Sequence, residues 1–121
     1  MVENVVAGLL LTGLGGFTAW AARRAVAPDV DPQRSPGLRT LTTMADREVW
    51  LAAHRPIAPA MWWLGVLVTV AGNAIIVWVL AGSPTKEQID ATVLMVALVY
   101  LAVSAVLIVI GLRAARQAAD R

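Results

Sequence analysis

Three stretches without a single charged residue dominate this chain: 19 residues over 4–22, 30 over 56–85 and 22 over 91–112. A bilayer core about 30 Å thick needs roughly 20 apolar residues at 1.5 Å rise each, so each stretch is long enough to cross. Only 15% of the residues are charged, where about 25% is usual for a soluble domain. A small water-soluble domain could not cover its surface with so few polar residues, and the 59% hydrophobic content also excludes intrinsic disorder. The expected fold is an all-α integral membrane protein. It has three transmembrane helices, at about 4–22, 60–81 and 91–112, forming one three-helix membrane domain over 1–121.

The first stretch reads as a retained span, not a cleaved signal peptide. It is preceded by Glu3 with no Lys or Arg, and followed directly by Arg23 and Arg24. Orientation follows from the basic residues. Arg23, Arg24, Arg34, Arg39, Arg47 and Arg55 lie between the first two spans, and Arg113, Arg116 and Arg121 follow the third. Only Lys86 falls in the short link between spans two and three. The expectation is a multi-pass protein with its N-terminus outside and its C-terminus in the cytoplasm. Trp20, Trp62, Trp63 and Trp78 fall near span ends, where indole rings anchor at the headgroup layers.

The loop over 23–56 divides in two. Pro28, Pro32 and Pro36 make its first part extended or turning. Asp29 and Asp31 form an Asp-x-Asp pair, but the chain is too short for a nucleotide-binding domain around it, so both read as solvated loop. Further on, Thr43 with Asp46 reads as a capping box opening a short interfacial helix over about 44–55. Ala45, Val49, Ala52 and Ala53 share one arc of it, while Asp46, Trp50 and His54 run along another.

The segment PGLRTLTTMADREVWLAAHR, residues 36–55, followed by a hydrophobic hairpin, resembles the SdpI family of small bacterial membrane proteins. The matching residues are Gly37, Arg39, Thr40, Thr43, Trp50, His54 and Arg55. The chain departs from the family pattern at Gln33 and Arg34, where asparagine is frequent, and at Ala58 and Pro59, where glycine is usual. The resemblance implies a bacterial cell-membrane protein whose role is immunity to a membrane-active peptide toxin. It also implies a loop able to hold a cytoplasmic repressor at the membrane. Physically, Gly37 permits close backbone approach, Arg39 presents a planar fork suited to phosphate or carboxylate, Trp50 suits an interfacial anchor, and His54 can change charge between pH 5 and 8. An accessory or structural subunit of a larger membrane complex is the alternative reading.

Nothing in the sequence supplies an enzyme or a cofactor site. His54 is the one histidine and there is no cysteine, so a zinc site lacks ligands. No acidic residue falls inside an expected span. Ser83 and Ser104 have no base within reach, and Gly13, Gly15 and Gly16 read as helix-packing positions. The loop's arginines are largely offset by Asp29, Asp31, Asp46 and Glu48, which argues against nucleic acid. The partner expected throughout is the lipid bilayer. Finally, Thr12, Asn73 and Tyr100 fall at similar depth and form an expected polar layer, with an Asn73–Tyr100 hydrogen bond as its favoured pairing.

Overall fold

The computed structural model describes residues 2–44 and 46–120, and for 41 and 42 the backbone alone. Its elements are α1 (Val2–Ala25), α2 (Leu41–Met44), α3 (Arg47–His54), α4 (Ala58–Ala81) and α5 (Lys86–Ala119). There is no strand among the described residues. The helices α1, α4 and α5 are long and apolar enough to cross a membrane.

Each long helix begins or ends beyond the expected span, and α1 and α5 run on through charged residues because a charge does not stop a helix. Glu3 lies in the first turn of α1 and Arg23 and Arg24 in its last, each with the sign that the helix dipole favours. Pro59 occupies the first turn of α4, where a missing N–H costs nothing. The start of α5 is fixed by a capping box between Thr85 and Gln88. At 34 residues, α5 is about 51 Å long and outreaches a bilayer core. Its C-terminal turns continue because Ala115 and Ala118 pack on Val49 and Ala53 of α3.

The principal packing is α1 against α4, while α4 and α5, joined by a short link, pack more sparsely. The buried residues of α1 are Gly8, Leu11, Gly15, Thr18, Ala22 and Ala25, spaced alternately three and four apart. On α4, Ala58, Gly65, Val68, Gly72, Ile75 and Val79 follow the same repeat. Small residues thus recur every seventh position on both helices, letting the backbones close together. A Cβ on Gly15 would stand 2.5 Å from the Gly65 carbonyl oxygen, and one on Gly72 would stand 2.6 Å from the Gly8 carbonyl oxygen. Of the three glycines expected to pack, only Gly15 does so; Gly13 and Gly16 face open space.

Elsewhere the spans present apolar side chains outward. Leu10, Leu67 and Leu101 are each more than 60% exposed. Bands of this kind would be an aggregation hazard in water and match a hydrocarbon surround. Glu3 and Lys86 approach to 3.9 Å, which sets the N-terminus of α1 beside the α4–α5 link. The loop between α1 and α4 lies at the opposite end with the C-terminal turns of α5.

Candidate functional site

The loop is a folded cap across that end. Past α1 the chain tightens through Val26 N–H to Arg23 O and Ala27 N–H to Arg24 O. Asp29 pairs with Arg24 at 3.2 Å, and the Asp31 carboxylate accepts the Gln33 N–H at 3.0 Å, so both acids serve the surface of the turn. Arg47 reaches back from α3 and donates to the carbonyls of Val30 and Pro28, tying the two halves of the loop together.

Capping runs differently from the sequence expectation. Asp46, not Thr43, caps α3, accepting the Glu48 N–H at 3.0 Å. The reciprocal pair lies one turn earlier: Thr40 Oγ1 accepts from Thr43 N–H at 3.1 Å, and Thr43 Oγ1 accepts from Thr40 N–H at 2.9 Å. Thr43 is fully buried and donates onward to the Leu38 carbonyl. A side chain already committed to that inner turn is not free to cap the next helix.

Helix α3 falls within the expected 44–55 but starts later, at Arg47. Val49, Trp50, Leu51, Ala53 and His54 are all buried, so both arcs of α3 meet protein. Val49 and Ala53 face α5, while Trp50 packs with Ala25 and Val30. Trp50 is completely buried, and its Nε1–H donates to the Ala25 carbonyl at the end of α1 over 2.8 Å. It anchors to the bundle and not to lipid. Ala45, expected on the first arc, lies outside the described residues.

His54 closes the cap. Its ring stacks on Trp50 at 4.1 Å between centroids. Nε2 accepts the Leu38 backbone N–H at 2.9 Å, and Nδ1 lies 2.7 Å from the Trp50 carbonyl oxygen. One nitrogen accepts and the other donates, which defines a neutral ring protonated at Nδ1. Burial pushes the His54 pKa below its ordinary 6.5, partly opposed by the hydrogen bond to Trp50. Gly37 lies against the Nε2 edge of the ring with φ +146°, a backbone conformation that favours glycine.

Gly37, Thr40, Thr43, Trp50 and His54 therefore meet in one cluster. Arg39 stands apart and holds the loop from outside, donating to the carbonyls of Ser35 at 3.0 Å and Gln33 at 3.1 Å. Arg55 is exposed. It lines a shallow hollow with Arg23, Trp62 and Trp63, where the Arg23 guanidinium lies 4.8 Å from the centre of the Trp62 ring.

The expected polar layer is rearranged. Tyr100 pairs with Thr18 of α1, hydroxyl to hydroxyl at 2.9 Å. Asn73 is exposed and donates to the Thr69 carbonyl of its own helix. It directly follows Gly72, and a step of about 100° rotates it off the α1-facing seam. Thr12 bonds its own helix at the Gly8 carbonyl, 2.9 Å away. Leu38, Arg47 and Thr18 also hold the loop and spans together, although a backbone N–H and two unremarkable side chains carry no sequence signal of their partners. Among the described residues, no three His, Asp or Glu side chains group to hold a metal.

These elements define a class: an all-helical protein with three apolar spans of bilayer length and a folded loop clasped across one end. The chain belongs to the SdpI/YfhL protein family, whose model matches residues 29–112. The match takes in most of the loop, all of α4 and most of α5. No curated protein and no solved structure gives a significant match.

Proposed function

We propose that this SdpI-like membrane protein acts without catalysis, as an immunity protein against a membrane-active peptide toxin, with the loop as its signalling element. The observation that supports this reading is the coincidence of family match and structure. The matched residues contain the whole His54 cluster and the two spans that follow it. A loop locked to α1 through Trp50, and to α5 through Val49 and Ala53, is mechanically joined to the spans. A change in span packing is then felt by a surface that a cytoplasmic repressor can read. The arginines at the loop end favour the cytoplasm for that end, with the N-terminus outside a bacterial cell membrane. Expression in a toxin-sensitive bacterium tests the role: survival at toxin levels that kill the parent strain is expected. Unchanged killing by every candidate toxin overturns it.

One feature favours the alternative of an accessory subunit in a larger membrane complex. Helix α5 contributes few buried residues over its apolar length, leaving Leu94, Leu98 and Leu101 uncovered. Extraction in mild detergent followed by pull-down separates the two readings, since a stoichiometric large partner supports only the second.

A further inference from the structure

Beneath the loop, among α1, α4 and α5, lies a cavity of about 380 Å³. Gly37, Leu38 and His54 stand at one end of its lining, and Thr18 and Tyr100 at the other. Phe17, Ala21, Met61 and Ile108 make most of the wall apolar. Phe17 is 58% exposed and Ile108 39% exposed, so the cavity reaches the outer surface of the spans. A dry apolar cavity of about 150 Å³ already holds a benzene ring, and this one is more than twice that size.

The hydroxyls lining it are not equivalent. Thr18 Oγ1 donates to the Leu14 carbonyl at 2.8 Å, so in its contact with Tyr100 the tyrosine is the donor. Both protons are thereby used. Ser104, one helical turn beyond Tyr100, has a buried Oγ with no hydrogen-bond partner among the described residues. A buried hydroxyl without a partner is unfavourable in a medium that contains no water. A buried water cluster needs two to four polar partners per molecule, and this wall supplies one free donor. The arrangement suits a hydrocarbon chain that carries a single acceptor.

We infer that this cavity binds one acyl chain of a bilayer phospholipid, with the acyl carbonyl oxygen accepting from Ser104 Oγ. The inference is independent of the immunity reading and of any toxin. Its occupant comes from the solvent that the spans themselves require, through a mouth at the level of Phe17 and Ile108. Because Gly37 and His54 belong to the same lining, an occupied cavity supports the folded loop from below.

The test places the full chain in phosphatidylglycerol–phosphatidylethanolamine vesicles holding a trace of phospholipid with a photoreactive diazirine near the acyl carbonyl. After illumination, labelling at Met61, Ser104 and Ile108 is expected to exceed that at the outward Leu94 and Leu101 several-fold. Ala21→Phe, which fills the cavity from its wall, removes the excess while labelling at Leu94 stays unchanged and reports an intact fold. Ser104→Ala, a smaller change, lowers the excess without abolishing it. Equal labelling at cavity and outward positions overturns the inference, as does an excess that survives Ala21→Phe. Reaction of a Ser104→Cys variant with a water-soluble thiol reagent would show a water-filled cavity and overturn it too.

Discussion

Gly37 and His54 touch so closely that a Cβ on the glycine would stand 3.1 Å from the ring Cδ2 and nearer still to Nε2. The same nitrogen accepts the N–H of the next residue, Leu38. Gly37→Ala therefore meets two obstacles, a positive φ and an occupied site. Backbone strain of this type costs about 1–3 kcal/mol, which converts to roughly 5- to 150-fold faster local opening. Hydrogen exchange at the Leu38 amide measures it. Exchange unchanged in Gly37→Ala would show that the clasp does not hold the loop.

Acid should open the same clasp. The folded-state pKa of His54 lies below the ordinary 6.5, because burial disfavours the imidazolium. Its contribution to stability is then fully present above pH 6.5 and is lost as pH falls through the lower folded value. Protonation also removes the acceptor for Leu38 N–H. Protease cleavage at Arg34 and Arg39 should rise on acidification in the native chain. In His54→Gln this dependence should flatten; a His54→Gln profile that matches the native one would place the pH sensitivity elsewhere.

The α1–α4 seam makes a contrast within a single Gly-rich run. Gly15 is closed in by Gly65 and Thr69, while Gly13 has nothing within 4 Å. Gly15→Ala should destabilise by about 1–3 kcal/mol, the usual cost of overpacking. Gly13→Ala should be neutral or gain up to about 1 kcal/mol from helix propensity. Unfolding in mixed micelles compares the two, and equal losses would refute the seam.

These positions also show what the sequence made legible. The spans were readable because uncharged runs of bilayer length have no other common use. Their ends were not, since helix hydrogen bonding carries on through Glu3, Arg23 and Arg24, although the Thr85–Gln88 box was a readable start. The seven-residue spacing of Gly8, Gly15 and Ala22 stood in the sequence, masked by the denser Gly13–Gly16 cluster. Depth counting placed Thr12, Asn73 and Tyr100 at one level but carries no information on rotation, which turns Asn73 outward and Tyr100 towards α1. The His54 cluster was visible as a set of residues. Its bonds were not, because its main acceptors and donors are backbone groups of Leu38, Trp50 and Ala25.

The distribution of basic residues predicts an orientation that labelling can test. The cysteine-free chain allows single cysteines to be placed at Glu3, Arg34, Lys86 and Gln117. All four residues are exposed, so accessibility depends on the side of the membrane alone. A membrane-impermeant maleimide added to intact cells should label positions 3 and 86 and spare 34 and 117. The reverse pattern would overturn the cytoplasmic assignment of the loop.

The Thr18–Tyr100 pair carries the last expectation. Helix α5 packs sparsely on the other two spans, and this bond is its hydroxyl link to α1. Within a membrane such bonds contribute about 0.6 kcal/mol on average, with a ceiling near 1.7 kcal/mol. That is too little to hold α5 in place but enough to select its rotation, since Ser104 and Ile108 follow Tyr100 at intervals of four along the same face. A double-mutant cycle with Tyr100→Phe and Thr18→Ala should give a coupling of that size in mixed-micelle unfolding. The matching cycle with Asn73→Ala should give none, because Asn73 bonds only its own helix. A coupling to Asn73 in place of Thr18 would mean that α5 is turned towards α4, with Ser104 carried away from the cavity.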